Sequence, residues 1–347
     1  MQPIASRDGI CYGEDSNFTA QERYGKATRA GGLDRARGED MENLVERRQF
    51  LKVAGAALLT GGVKASLGQS SSQAQGTISA SQVAKTARIF SGCCAYTYRH
   101  AFQNGSLTLE SFIQLAVELK LDGVDMTVYY MKSTDPGYIE NLRYLGYKNG
   151  VPFSGVACGS SMVQADAAKR AEVLADIKKW VDVTDRIGAP HLRVFAGKQP
   201  VGSTMTQCVN WVVDVMKAAS DYSGKKGITL GLEDHAGVSQ SADVCLEIMH
   251  RVNSPYAGIN IDISHFTPTA TQDSYSQIAA CLPYATHAHV RAGFDDNSPI
   301  DLDRVWKMFA DSGYKGYMSY EGEETSITGA PAQIAEIRRL CKKYTSV

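Results

Sequence analysis

From about residue 88 onward, short apolar runs alternate with longer amphipathic ones. Eight short runs, at 89–95, 123–127, 152–157, 191–196, 228–233, 258–262, 286–291 and 316–320, read as strands. The segments between them carry helical spacing. Leu109, Phe112, Ile113, Ala116 and Leu119 fall on one helical face, behind Thr108, whose hydroxyl can cap the first turn. Val244, Cys245, Ile248, Met249 and Val252 repeat the pattern after Ser241. The segment 166–187 is charged on its outer face and stops at Gly188 and Pro190, residues that end helices.

Strands alternating with helices predict parallel strands joined by crossover helices. Eight such units in about 265 residues match the size of an α/β fold of the (β/α)8 TIM-barrel class, at roughly 250 residues. The alternative is an open doubly wound sheet, whose first strand usually runs into a glycine-rich phosphate turn. Here the first strand ends in Cys93, Cys94, Ala95, Tyr96, Thr97, Tyr98 and Arg99, with no such turn. The barrel is therefore expected over 85–347.

The remaining residues read differently. Segment 1–40 is polar, glycine-rich and without apolar period, which predicts disorder or an upstream extension. Segment 41–80 resembles a twin-arginine export signal and its linker: Arg47 and Arg48, then Phe50, Leu51 and Lys52, an apolar run over 53–63, Lys64, and a Ser/Gln-rich stretch. Glu46 stands where that family usually has Ser or Thr. The apolar run is too short to span a bilayer as a helix. The resemblance implies a periplasmic or secreted protein, cleaved near residues 65–74 or held by its signal. Proteins that take this route cross the membrane already folded, so a weakly binding metal ion can be loaded before export, away from competing copper and zinc.

Composition narrows the function classes. The chain is 44% hydrophobic and 21% charged, with a net charge of −1, so it can bury a core and lacks the basic footprint of a nucleic-acid binder. Its eight cysteines show no C-x-x-C pair or metal-knuckle spacing, and Cys93, Cys158 and Cys245 sit in apolar runs, which predicts buried thiols rather than a disulfide framework.

The chemistry lies at the ends of the last four strands. The fifth ends in Glu233, Asp234 and His235. The sixth ends in Asp262 and reaches His265. The seventh carries His287, His289 and Arg291, and the eighth reaches Glu321 and Glu323. Barrel enzymes place their catalytic groups at these C-terminal strand ends. Unpaired charges inside a core are costly. Each residue taken singly has a bland reading: Glu233 or Glu321 paired with Arg193, or His289 as a hydrogen-bonded core histidine. Four consecutive strands ending this way point to carboxylates and an imidazole converging on a divalent ion.

These runs, Leu232-Glu233-Asp234-His235, Asp262-Ile263-Ser264-His265, His287-Ala288-His289-Val290-Arg291 and Tyr317-Met318-Ser319-Tyr320-Glu321, resemble the xylose isomerase-like barrel superfamily, the sugar phosphate isomerases and epimerases. The opening strand end at residues 95–99 and the second strand, with Gly123, Val124, Asp125 and Met126, share the resemblance. It covers residues 89–344. It implies one divalent ion (Mn, Mg, Co or Zn) held by Glu233, Asp262, His289 and Glu321, with His265 against the substrate. His287 points the same way as His289 in an alternating strand, and Glu323 is a lesser rival to Glu321. His235 is expected beside the ion or the substrate. Arg291, Arg193 and Tyr98 are candidate substrate contacts, with Arg99 and Lys198 also near strand ends; ion pairing and packing are the competing expectations.

Such a site suits proton removal from carbon beside a carbonyl, with Glu233 and Glu321 as base and acid. Return of the proton to the opposite face is epimerisation, and return to the neighbouring carbon is isomerisation. Loss of a β-leaving group from the same enediolate would make a lyase or dehydratase of keto-sugars or keto-glycosides. A non-catalytic sugar-binding barrel would be expected to lack one or more ligands. A DNA-repair nuclease would be expected to carry more metal ligands than seven histidines provide, and a basic face. The expected partner is a small free or glycosidic sugar, with any homo-oligomer face on the outer helices.

Overall fold

The computed structural model describes residues 86–345. The upstream segment, the arginine pair with its apolar run, and Cys11 lie outside these residues. Eight strands follow in order: β1 (Arg88–Cys93), β2 (Val124–Thr127), β3 (Phe153–Ala157), β4 (His191–Val194), β5 (Thr229–Glu233), β6 (Ala257–Asp262), β7 (Ala285–Val290) and β8 (Lys315–Tyr320). Eight helices alternate with them: α1 (Leu109–Glu118), α2 (Pro136–Asn149), α3 (Ala167–Ile187), α4 (Met205–Gly224), α5 (Ala242–Val252), α6 (Ser274–Cys281), α7 (Leu302–Ser312) and α8 (Pro331–Tyr344). A short helix, Arg99–Gln103, precedes α1.

All strand pairs are parallel, in the order β1-β8-β7-β6-β5-β4-β3-β2. A single bridge between Cys94 and Asp125 brings β1 to β2 and completes the TIM barrel. Two strands stop two residues earlier than their apolar runs suggest. β1 ends at Cys93 because the chain coils at once into a 3-10 turn, Ala95–Tyr98. β4 ends at Val194, short of Phe195 and Ala196.

Local sequence explains the helices. Thr108 caps α1 by accepting from the Ser111 N–H, and the Ser111 hydroxyl accepts from the Thr108 N–H in return. Leu109, Phe112, Ile113 and Ala116 are its buried face, as the spacing predicts. Ser241 caps α5, which buries Cys245, Ile248, Met249 and Val252. Asp166 caps α3, and Gly188 ends it with φ +85°, a left-handed conformation that glycine enters without a Cβ penalty.

Strand residues alternate between two environments. Leu230, Leu232, Ile259, Ile261 and Met318 are fully buried in the apolar core. Burying each such side chain is worth roughly 1.5–3 kcal/mol. Their alternating neighbours, among them Gly231, Glu233, Asn260, Asp262 and Ser319, form a polar interior. A Cβ at Gly231 would collide with the Nε2 of His191, so this glycine gives that buried ring its place. The seven described cysteines are all free and buried. Among the described residues no helix is long and apolar enough to cross a membrane.

Candidate metal centre

Glu233, Asp262 and His289 lie at or near the C-terminal ends of β5, β6 and β7, and Glu321 immediately follows β8. Register brings them level. Asp262 pairs with His289 across β6 and β7, and the Glu321 N–H donates to the Val290 carbonyl. One ligand atom from each of the four lies within 4.8 Å of the others, and none of the four is more than 5% exposed. His289 Nδ1 is 2.8 Å from Glu233 Oε1 and 3.1 Å from Glu321 Oε2.

Three carboxylates in so small a volume require compensation. Arg193 Nη1 lies 3.4 Å from Glu233 Oε2. Arg291 reaches Asp262 Oδ2 with Nε at 3.3 Å and Glu321 Oε2 with Nη2 at 3.5 Å. Burial pushes the Glu233 carboxyl up, but Arg193 and His289 outweigh it and bring it down to about 2. Burial likewise opposes the charge on Glu321, and His289 with Arg291 holds it well below the usual range. His289 moves the other way: burial disfavours its charged form, yet Glu321, Asp125 and Glu233 raise it well above the ordinary histidine value.

The donor set fits a divalent cation: carboxylate oxygens and one imidazole nitrogen, the mixture that suits Mg, Mn, Co or Zn. One further observation supports the fit. Asp262 Oδ2 is completely buried and, beyond its ion-pair contacts with Arg291 and His265, makes no hydrogen bond, an arrangement that a cation would satisfy.

The other residues singled out in the sequence divide into three groups. His265 and His235 lie beside the cluster. His265 Nδ1 is 2.8 Å from the Asp234 carbonyl and Nε2 is 3.5 Å from Asp262 Oδ2, while the His235 ring meets His265 edge-on at 4.9 Å. Arg291 is 28% exposed and forms a wall of the cluster. Arg193 is 4% exposed, turned to Glu233 and stacked at 3.9 Å on the half-buried Phe195. Tyr98 is a correction to the sequence reading. It is fully buried, with its ring edge-on to Phe112 in the core, because the turn after β1 swings it away from the mouth. The geometry also separates the two remaining pairs of candidates. His287 stacks on His191 at 5.1 Å, deeper in the barrel, and does not join the four-residue cluster. Glu323 is exposed and pairs with Arg99 at 2.8 Å.

Sequence reasoning assigned no role to Asp125, Asp234 or Asn260. Asp125 Oδ1 accepts from Ser154 and Ser319, and its Oδ2 lies 3.2 Å from His289 Nε2. Asp234 Oδ1 accepts the Asp262 N–H at 2.7 Å, and Asn260 Nδ2 donates to Glu233 Oε1 at 3.2 Å. The available signal was an ionisable or amide residue inside an apolar strand, as in Val124-Asp125-Met126.

No curated protein sequence matches the chain. Several solved structures share its fold. A 3-keto-D-glucoside 4-epimerase from E. coli is 14% identical, covers 74% of this chain and 99% of its own, and gives a TM-score of 0.59. A D-psicose 3-epimerase from Clostridium cellulolyticum H10 is 11% identical over 74% of this chain and 98% of its own, with a TM-score of 0.60. A xylose isomerase domain protein from Planctomyces limnophilus is 17% identical over 75% and 98%, with a TM-score of 0.56. Over residues 113–344, most of the barrel, the sequence matches a family profile, and the chain belongs to the xylose isomerase-like TIM barrel family.

Proposed function

We propose that this chain is a divalent-metal-dependent sugar isomerase or epimerase that removes a proton from carbon beside a carbonyl. The observation that carries the reading is the placement of Glu233 and Glu321, both within 3.1 Å of His289 Nδ1 and both held ionised by that histidine together with an arginine. The family and the activities named for its structural neighbours, a ketose 3-epimerase and a keto-glucoside 4-epimerase, point the same way.

Glu233, Asp262, His289 and Glu321 would hold the ion. When bound, it would polarise the substrate carbonyl and stabilise negative charge developing on its oxygen. One glutamate takes the proton, and the other returns a proton from the opposite side, which inverts the carbon. Glu233 ends β5 and Glu321 follows β8, strands that are not neighbours, which is compatible with a two-sided exchange. His265 and Arg291 would contact sugar hydroxyls, with His265 oriented by the Asp234 carbonyl. Arg193 acts through Glu233, holding its carboxylate charged and in place. The proposed substrate is a free or glycosidic sugar, in keeping with the export that the twin-arginine resemblance of residues 41–80 implies.

The test is elemental analysis of the purified full chain, followed by assays on ketoses, aldoses and keto-glycosides with and without chelator. About one divalent ion per chain with chelator-sensitive epimer or isomer formation supports the proposal. Elimination products would assign a lyase instead, because the same proton removal can expel a β-leaving group. A metal-free chain without turnover would refute both.

A further inference from the structure

The geometry points to Asp125 as the positioning residue that decides which nitrogen of His289 faces the candidate metal centre, an inference that rests on the metal reading above. His289 belongs to two clusters. One is the group with Glu233, Asp262 and Glu321; the other joins His289 to Cys94 and Asp125, again with ligand atoms within 4.8 Å. A neutral imidazole has one N–H and one lone pair, so only one of its two sides can serve a metal. Strand alternation and composition do not choose between them.

Asp125 makes the choice. It is 2% exposed and anchored on both sides, bridging to Cys94 and pairing with Gly155 of β3. Its Oδ1 accepts from the Ser154 hydroxyl on β3 and, at 2.9 Å, from the Ser319 hydroxyl on β8. His287 Nε2 on β7 also lies 3.1 Å from Oδ1. Contacts from three strands fix the rotation of the carboxylate and leave Oδ2 aimed at His289 Nε2, 3.2 Å away. An acceptor there keeps a hydrogen on Nε2, so a cation among Glu233, Asp262 and Glu321 would displace the hydrogen on Nδ1 and take that lone pair.

Cys94 does not compete for a metal on the Nε2 side. Its thiol donates toward Glu321 Oε1 at 3.6 Å and lies 3.7 Å from the Thr127 hydroxyl. The second cluster thus holds the first in place: its carboxylate orients the histidine and its thiol contacts a glutamate.

The test uses the full chain with 15N-labelled histidine, loaded with Zn2+. Long-range proton–nitrogen spectra report which nitrogen of His289 carries hydrogen and which is metal-bound. Competition with a chromogenic chelator gives the Zn2+ affinity. The expected result is hydrogen on Nε2 and metal on Nδ1, with Asp125→Asn binding Zn2+ about 10–100-fold more weakly. Asparagine keeps the size but has one acceptor atom where donors approach from two sides. A merely structural Asp125 would lower the melting temperature and leave the Zn2+ affinity of the folded protein unchanged. Metal on Nε2, or a folded Asp125→Asn variant with wild-type affinity, overturns the inference alone. If the variant does not fold, the wild-type spectrum decides. A wild-type chain that takes up no Zn2+ overturns the metal reading and this inference with it.

Discussion

Nδ1 of His289 lies 2.8 Å from Oε1 of Glu233, although the two residues are 56 positions apart and sit on β7 and β5 with β6 between them. Contact across an intervening strand means that both side chains point into the barrel mouth. His289→Gln is therefore expected to abolish stoichiometric metal uptake. His287→Gln, altered at a ring outside the four-residue cluster, is expected to keep it. Elemental analysis of the two purified variants checks this, and equal metal content in both would refute the assignment.

Glu321→Gln keeps the shape of the side chain and removes its charge. Turnover is expected to fall by about 10²–10⁴-fold, the range typical of losing a general acid–base group. The fold should survive, because glutamine keeps the side-chain volume and Arg291 and His289 retain Asp262 and Glu233 as charged partners. Steady-state kinetics beside circular dichroism separate the two effects; near-normal turnover in a metal-loaded variant would exclude Glu321 from proton transfer.

A ligand that binds only the folded state raises its stability. A divalent ion at about 100 times its dissociation constant contributes roughly 2.7 kcal/mol. Chelated protein is therefore expected to melt several degrees below the same protein with saturating Mn2+. Calorimetry with and without the ion tests this, and coincident transitions would argue against a resident metal.

Trp306 on α7 is completely buried, and its indole N–H donates to the Cys341 thiol of α8 at 3.4 Å. Trp306→Ala removes a large aromatic that is not part of the four-residue cluster and is expected to cost about 3–5 kcal/mol of folding stability. Urea unfolding measures it. The metal affinity of the folded variant should stay at the wild-type value.

Acid should weaken the fold through its helix caps. N–H groups of Lys169 and Ala168 hold the Asp166 carboxyl below its usual 3.8, and the hydroxyl and N–H of Ser276 do the same for Asp273. A carboxyl depressed in the folded state stabilises that state above its unfolded value. The contribution is lost as pH falls through the folded value, below roughly pH 4. Asparagine caps a helix about as well without titrating. The Asp166→Asn, Asp273→Asn double variant should thus melt near the wild type at neutral pH and lose less stability on acidification.

Much of this architecture was legible along the chain because it depends on local rules. Thr108, Asp166 and Ser241 lie where a hydroxyl or carboxylate can satisfy the first free N–H groups of a helix, and all three do so. The apolar faces of α1 and α5 follow from a 3.6-residue period. The errors are local too. Tyr98, a candidate substrate contact with packing as the competing expectation, packs in the core, because a 3-10 turn begins two residues after the last strand residue. Asp125 carried no role because its partners lie on β3, β7 and β8, as far as 194 positions away.

The sequence by itself determined the number and order of strand–helix units, the capping of helices, and the concentration of acids and histidines at four successive strand ends. Each of these depends on residue type and short-range period. Only the tertiary structure decided that His289 rather than His287 faces the carboxylates, that Arg193 turns to Glu233, and that Asp125 stands behind the histidine. Those choices depend on the relative depth of residues on different strands. Inter-strand register and barrel closure set that depth, and side-chain alternation within one strand cannot express it.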